Sequence, residues 1–76
     1  MFSNVREVRY IDDENNNCVF IESVAGLPRV PNIGERIIDR DWDRDREELY
    51  YEVVEVRMVI DRTEGKICYK VYLKQI

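Results

Sequence analysis

Two neighbouring segments decide the fold. The first is Tyr50-Tyr51-Glu52-Val53-Val54-Glu55-Val56-Arg57-Met58-Val59-Ile60 and the second is Lys66-Ile67-Cys68-Tyr69-Lys70-Val71-Tyr72-Leu73-Lys74-Gln75-Ile76. In the second, Ile67, Tyr69, Val71 and Leu73 alternate with Cys68, Lys70, Tyr72 and Lys74, the period-two pattern of a strand with one face inside. The first reads as a longer strand, with Tyr50, Val54, Val56, Met58 and Ile60 on one side and Tyr51, Val53 and Val59 on the other. Asp61-Arg62-Thr63-Glu64-Gly65 lies between them as a turn with glycine near its end.

Working outward, residues 5–11 alternate in the same way, with Val5 and Ile11 on one face and Val8 and Tyr10 on the other. The polar cluster at 12–17 predicts a hairpin loop, because Asp and Asn favour turns, and Cys18-Val19-Phe20-Ile21 resumes a strand that runs to Val24. Residues 25–34 hold Gly26, Pro28, Pro31 and Gly34, so neither a helix nor a central strand passes through them. Leu27, Val30 and Ile33 are spaced along that loop to cap the open end of a sheet, and a third strand begins at Glu35-Arg36-Ile37-Ile38. Five strands joined mostly by hairpins predict an all-β fold, a strongly bent antiparallel sheet closing into a small barrel or roll, with room for one short helical turn. The Src-homology-3-like and oligonucleotide/oligosaccharide-binding barrels are familiar forms at this size. The expected inward set is Val8, Phe20, Val54, Val56, Ile67, Tyr69, Val71 and Leu73.

A chain of 76 residues reads as one domain, residues 1–76, with a thin core and little room for an enclosed catalytic pocket. The net charge of -4 opposes general nucleic-acid binding, which draws on Lys and Arg meeting phosphates. With no histidine, the commonest general base, the Ser-His and Cys-His pairs and the commonest transition-metal ligand are missing together. The expectation is a binding protein, not an enzyme, with no cofactor or metal. Cys18 and Cys68 lie far apart in apolar stretches, which predicts buried reduced thiols. Arg6, Glu7 and Arg9 stand where a signal peptide would be apolar, and no run reaches the roughly 20 apolar residues of a membrane span, so the expected location is the cytoplasm. Asp12, Asp13 and Glu14 imitate a calcium loop in composition but lack its ligand spacing and distal glutamate.

Residues 39–48, Asp-Arg-Asp-Trp-Asp-Arg-Asp-Arg-Glu-Glu, hold six acids and three arginines around the only tryptophan, for a local charge of -3. If extended, the run sets Asp39, Asp41, Asp43 and Asp45 on one face at about 6.7 Å intervals, a ladder suited to a basic, phosphate-binding groove on a partner. If helical, Asp41/Arg44 and Asp43/Arg46 pair on a solvated turn. Trp42 is either an interface anchor, with Glu47 among the acids around it, or a lid folded over the barrel mouth with Leu49 and Tyr50. Arg29, stiffened by Pro28 and Pro31, suits either a recognition contact or a capping loop. Five tyrosines cannot all lie inside so thin a core, and Tyr51 and Tyr72, opposite the main apolar faces, are the exposed candidates. With Arg57, Lys70 and Lys74 they would form a stacking platform for a nucleic-acid strand or the seam of a homodimer.

Leu27-Pro28-Arg29-Val30-Pro31-Asn32-Ile33-Gly34-Glu35-Arg36-Ile37, then Tyr51-Glu52-Val53-Val54-Glu55-Val56 and Val71-Tyr72-Leu73, resembles short all-β proteins of phages and other mobile elements. The shared look is a proline-containing loop ending in Gly and an acid, a strand, a variable loop and a Tyr-x-Val-x-x-Val strand. It covers roughly the C-terminal two thirds of the chain. The resemblance implies stoichiometric binding to a host protein, including anti-CRISPR-like inhibition of a host antiviral defence nuclease complex, and it brings no catalytic residues. Residues 39–48 fall in the part that varies. The alternative expectation is a nucleic-acid-binding or virion accessory module using the tyrosine face with Lys66, Lys70 and Lys74.

Overall fold

The computed structural model describes residues 5–41 and 47–76. It contains five strands, β1 (Val5–Asp12), β2 (Cys18–Ala25), β3 (Arg36–Asp41), β4 (Glu47–Asp61) and β5 (Lys66–Gln75), and no helix among the described residues. They form one sheet in the order β2-β1-β5-β4-β3, curled into a half-barrel. Neighbours pair antiparallel except β1 and β5, which run parallel from Arg6 opposite Ile67 to Asp12 opposite Leu73. The sheet is therefore mixed where an antiparallel one was expected. Period two fixes which residues share a face but carries no information on strand direction, and the loop between β2 and β3 carries the chain to the far edge before β4 and β5 return to β1.

The concave face holds the core. Val8, Tyr51, Val53, Val71 and Leu73 are buried there, and Tyr10, Val30, Ile37, Leu49, Val56 and Tyr69 pack against them. Two bulges decide membership. In β4, Val53 pairs with Leu73 and Glu55 with Tyr72, so Val54 is the extra residue. The bulge switches the phase of the strand, and Tyr51, Val53 and Val56 all reach the concave side although they belong to opposite alternation sets. Val54, expected inside, is taken out of the core set by the same step, and Tyr51, expected outside, is buried. In β2, Tyr10 pairs with Phe20 and Ile11 with Cys18, which makes Val19 the extra residue. Phe20 does face the concavity, but β2 is an edge with no strand beyond it among the described residues, and the ring is 57% exposed instead of buried. Ile67 is half-buried, outside the buried cluster.

The turns follow their chemistry. In the β1–β2 turn, the Asp12 and Asn15 side chains accept hydrogen bonds at 2.9 Å from the backbone N–H groups of Glu14 and Asn17, and Asn16 adopts φ 58°. The β2–β3 loop is tied down at its end: Gly34, at φ 94°, donates its N–H to the Val53 carbonyl at 2.8 Å, and Val53 donates to Glu35 at 2.9 Å. Of the residues expected to cap the sheet, Val30 packs on the core while Leu27 and Ile33 are exposed. Of the two thiols expected inside, Cys68 is buried and Cys18 is exposed, since it starts an edge strand. No helix of the described residues is long and apolar enough to cross a membrane.

Candidate functional site

Among the described residues, the edge strands β2 and β3 do not touch, and the gap between them leaves a cleft of about 410 Å³ in the concave face. Its floor is apolar, built from Tyr10 of β1, Ile37 of β3, Tyr51 of β4 and Leu73 of β5. Phe20 forms part of one wall, its ring tilted 56° to that of Tyr10 with centroids 6.1 Å apart. Charged residues stand around this floor: Glu22 from β2, Glu35 and Arg29 from the loop and Asp39 from β3. Three carboxylates against one guanidinium give the cleft a negative potential. Burial pushes the Tyr51 hydroxyl up, with Asp12 and Asp39 adding to the effect, and burial followed by Glu22 does the same to the half-buried Tyr10.

The structure sorts the residues singled out in the sequence. Asp39 and Arg29 line the cleft together. Strands β3 and β4 pair antiparallel from Arg36 opposite Glu52 to Asp41 opposite Glu47, so the first and last residues of the acidic run are extended. Trp42, Asp43, Arg44, Asp45 and Arg46 lie outside the described residues. Tyr51 is 4% exposed and belongs to the cleft floor, so it cannot present a free ring for stacking, whereas Tyr72 is half-buried on the opposite, convex face. The expected pairing of these two tyrosines on one platform is thereby corrected: the Val54 bulge puts them on different sides of the sheet. Around Tyr72 the convex face is laced with ion pairs. The Arg57 guanidinium lies 5.1 Å over the Tyr72 ring and bonds Glu55 at 2.9 Å, Arg9 pairs with Glu7, and Lys66 pairs with Glu64 at 2.9 Å. Such pairs are typical of a solvated face.

Glu22 and Glu35 were not singled out in the sequence. A signal for Glu22 was there, since it is the one charge in Cys18–Ala25, on the same face as Phe20. Glu35 carried none of its own, because its place depends on the Gly34 turn.

At the base of the hairpin, Tyr50 donates its hydroxyl to Glu48 at 2.7 Å and Arg40 meets the same carboxylate at 3.0 Å. The Tyr50 hydrogen bond, then the Arg40 charge, hold the Glu48 carboxyl below its ordinary value. A depressed carboxyl contributes stability above its unfolded pKa that is lost as pH falls through the folded one, so this clasp loosens under acid. In Tyr50→Phe the Glu48 midpoint is expected to move up toward that of an ordinary glutamate, read from its side-chain carbonyl resonance in a pH-titrated NMR series; an unmoved midpoint would mean that Arg40 alone sets it.

Comparison of the chain with protein-family models, with curated proteins and with solved structures finds no match.

Proposed function

We propose that this chain works by stoichiometric protein binding in the cytoplasm of a host cell, as a phage or mobile-element inhibitor whose target is a host antiviral defence nuclease complex. The observation that carries the binding reading is the continuity of acid through β3. Asp39 stands at the cleft with Glu22 and Glu35, and the same strand runs on into the acidic run that contains Trp42. An apolar floor edged by carboxylates, on a chain whose sequence runs on from β3 into an acidic stretch with one large aromatic, suits a basic protein surface: acids steer the encounter and apolar contacts hold the docked state. The choice of target class rests on the resemblance to short phage proteins and on the fit of an acidic ladder to a groove that otherwise holds nucleic-acid phosphates.

The test begins with capture from host lysate and identification of the partner by mass spectrometry, followed by kinetics on the purified pair. Replacing Asp41, Asp43 and Asp45 by Asn is expected to slow association and flatten its salt dependence, since exposed charges act over a Debye length of about 8–10 Å. Trp42→Ala is expected to speed dissociation about 30-fold, the equivalent of about 2 kcal/mol. Unaltered kinetics in both variants would reduce the run to a solvated hairpin. Retention of single-stranded nucleic acid at low salt would replace the proposal with the accessory-module reading.

A further inference from the structure

The cleft between β2 and β3 joins aromatic rings to carboxylates that nothing neutralises. Its β2 wall carries Phe20 and, two residues on along the same face, Glu22; its β3 wall carries Ile37 and, two residues on, Asp39. Glu35 joins them from the loop. Among the described residues, Glu22, Glu35 and Asp39 form no ion pair, and Arg29, the one cation lining the cleft, pairs with none of them. A second observation points into the same space. Tyr51 is 4% exposed, yet its hydroxyl makes no hydrogen bond among the described residues. No fully enclosed polar atom there lacks a partner, so the Tyr51 oxygen opens onto the cleft that the residue lines.

We infer that this cleft holds the guanidinium of an arginine side chain supplied by the bound partner, an inference that rests on the protein-binding reading above for the source of that arginine. Charge complementarity selects a cation, because three carboxylates outweigh Arg29 in a space whose apolar floor receives an aliphatic stem. The rings then select arginine over lysine. A guanidinium is planar, less strongly hydrated than an ammonium and stacks on aromatic faces. Tyr10 and Phe20, tilted 56° with centroids 6.1 Å apart, offer it such faces. Glu22 and Asp39 accept its N–H groups from opposite walls, and the Tyr51 oxygen accepts another. The chain makes the same kind of contact for itself on the convex face, where Arg57 lies 5.1 Å over the Tyr72 ring and bonds Glu55 at 2.9 Å. At about 410 Å³ the cleft falls in the range of roughly 300–1,000 Å³ that holds small ligands, so a whole side chain has room.

The experiment uses the full chain and needs no partner. N-acetyl-arginine amide is titrated at low salt into the isotope-labelled protein and followed through its backbone amide resonances. Saturable shifts are expected at Phe20, Glu22, Asp39 and Tyr51, and none from N-acetyl-citrulline amide, which keeps the shape and loses the charge. Glu22→Gln combined with Asp39→Asn is expected to weaken the probe at least about 10-fold. Tyr51→Phe, which keeps the ring of the floor, should weaken it about 3-fold at unchanged stoichiometry, and Arg29→Gln, which removes a like charge, should tighten it about 3-fold. Glu64→Gln, in the β4–β5 turn, should leave it unchanged. Circular dichroism matching that of the unaltered chain confirms that each variant is folded. No saturable shift, shifts centred outside the cleft, equal binding of the citrulline probe, or indifference to the double substitution would each overturn the inference. N-acetyl-lysine amide binding as tightly would overturn the choice of arginine in favour of any basic side chain. All of these leave the protein-binding reading standing, whereas a host lysate that yields no partner would overturn that reading and leave a guanidinium site in the cleft.

Discussion

Leu73→Ala is expected to cost about 2–5 kcal/mol of unfolding free energy in a denaturant titration, and Phe20→Ala less than about 1 kcal/mol. Leu73 is 1% exposed, on the central strand β5, packed with Val8, Tyr51, Val53 and Val71. Removing its branched end loses both the transfer term and the contacts around the hole. Phe20 is the larger residue, and by size alone its truncation should be the more damaging. Its ring is more than half in water, however, against Tyr10 on one side and the open cleft on the other, so little contact is lost. A protein of this size holds only about 5–15 kcal/mol in total, so the first variant is at risk of unfolding at physiological temperature and the second is not. Equal costs for the two would mean that β2 is covered in solution by something that also buries Phe20.

How much of this was legible beforehand depends on what a period-two pattern can carry. Val8, Val71 and Leu73 were placed inside correctly because β1 and β5 are central strands whose alternation runs unbroken through the core. The β1–β2 and β4–β5 turns were legible from Asp12 to Asn17 and from Asp61 to Gly65, where Asx and glycine chemistry acts locally. The misplacements of Val54 and Phe20 sit where one residue is added or one neighbour is missing. Val54 is indistinguishable in composition from Val53 and Val56, and a bulge between three valines leaves no mark in the sequence, yet it exchanges the faces of everything before it. Phe20 failed for the other reason: alternation gave its face correctly, but whether that face is covered depends on the strand's place in the sheet order. The parallel β1–β5 pair was hidden for a related cause, because hairpin reasoning sees only strands adjacent in sequence.

The site was legible in its chemistry more than in its place. Excess acid in residues 39–48 was visible, and Arg29 and Asp39 do meet at one cleft. The cleft itself was not visible, because it exists only where a curled sheet stops short of closing. That incomplete closure supplies the acidic cleft on the inside of the gap, with Phe20 and Glu22 of β2 on its rim.

Tyr51 and Tyr72 give the sharpest separation between a residue that holds the site up and one that lies on a surface. Tyr51→Ala is expected to cost about 3–5 kcal/mol of stability, the range for truncating a buried aromatic, and Tyr72→Ala about 1–2 kcal/mol, for a half-buried ring with one cation–π contact to Arg57. In a partner-binding assay Tyr51→Ala would therefore imitate the loss of a contact residue. The distinction is in what is lost: unfolding lowers the fraction of molecules able to bind and leaves the affinity of the folded remainder unchanged, while loss of a contact lowers the affinity of all of them. Tyr51→Phe completes the comparison. It keeps the ring that fills the cleft floor and removes only the hydroxyl whose pKa burial has raised, so near-normal stability is expected by thermal denaturation together with near-normal binding stoichiometry. If Tyr51→Ala instead melted like the unaltered chain, β4 would not be bulged at Val54, and Tyr51 would return to the same surface as Tyr72.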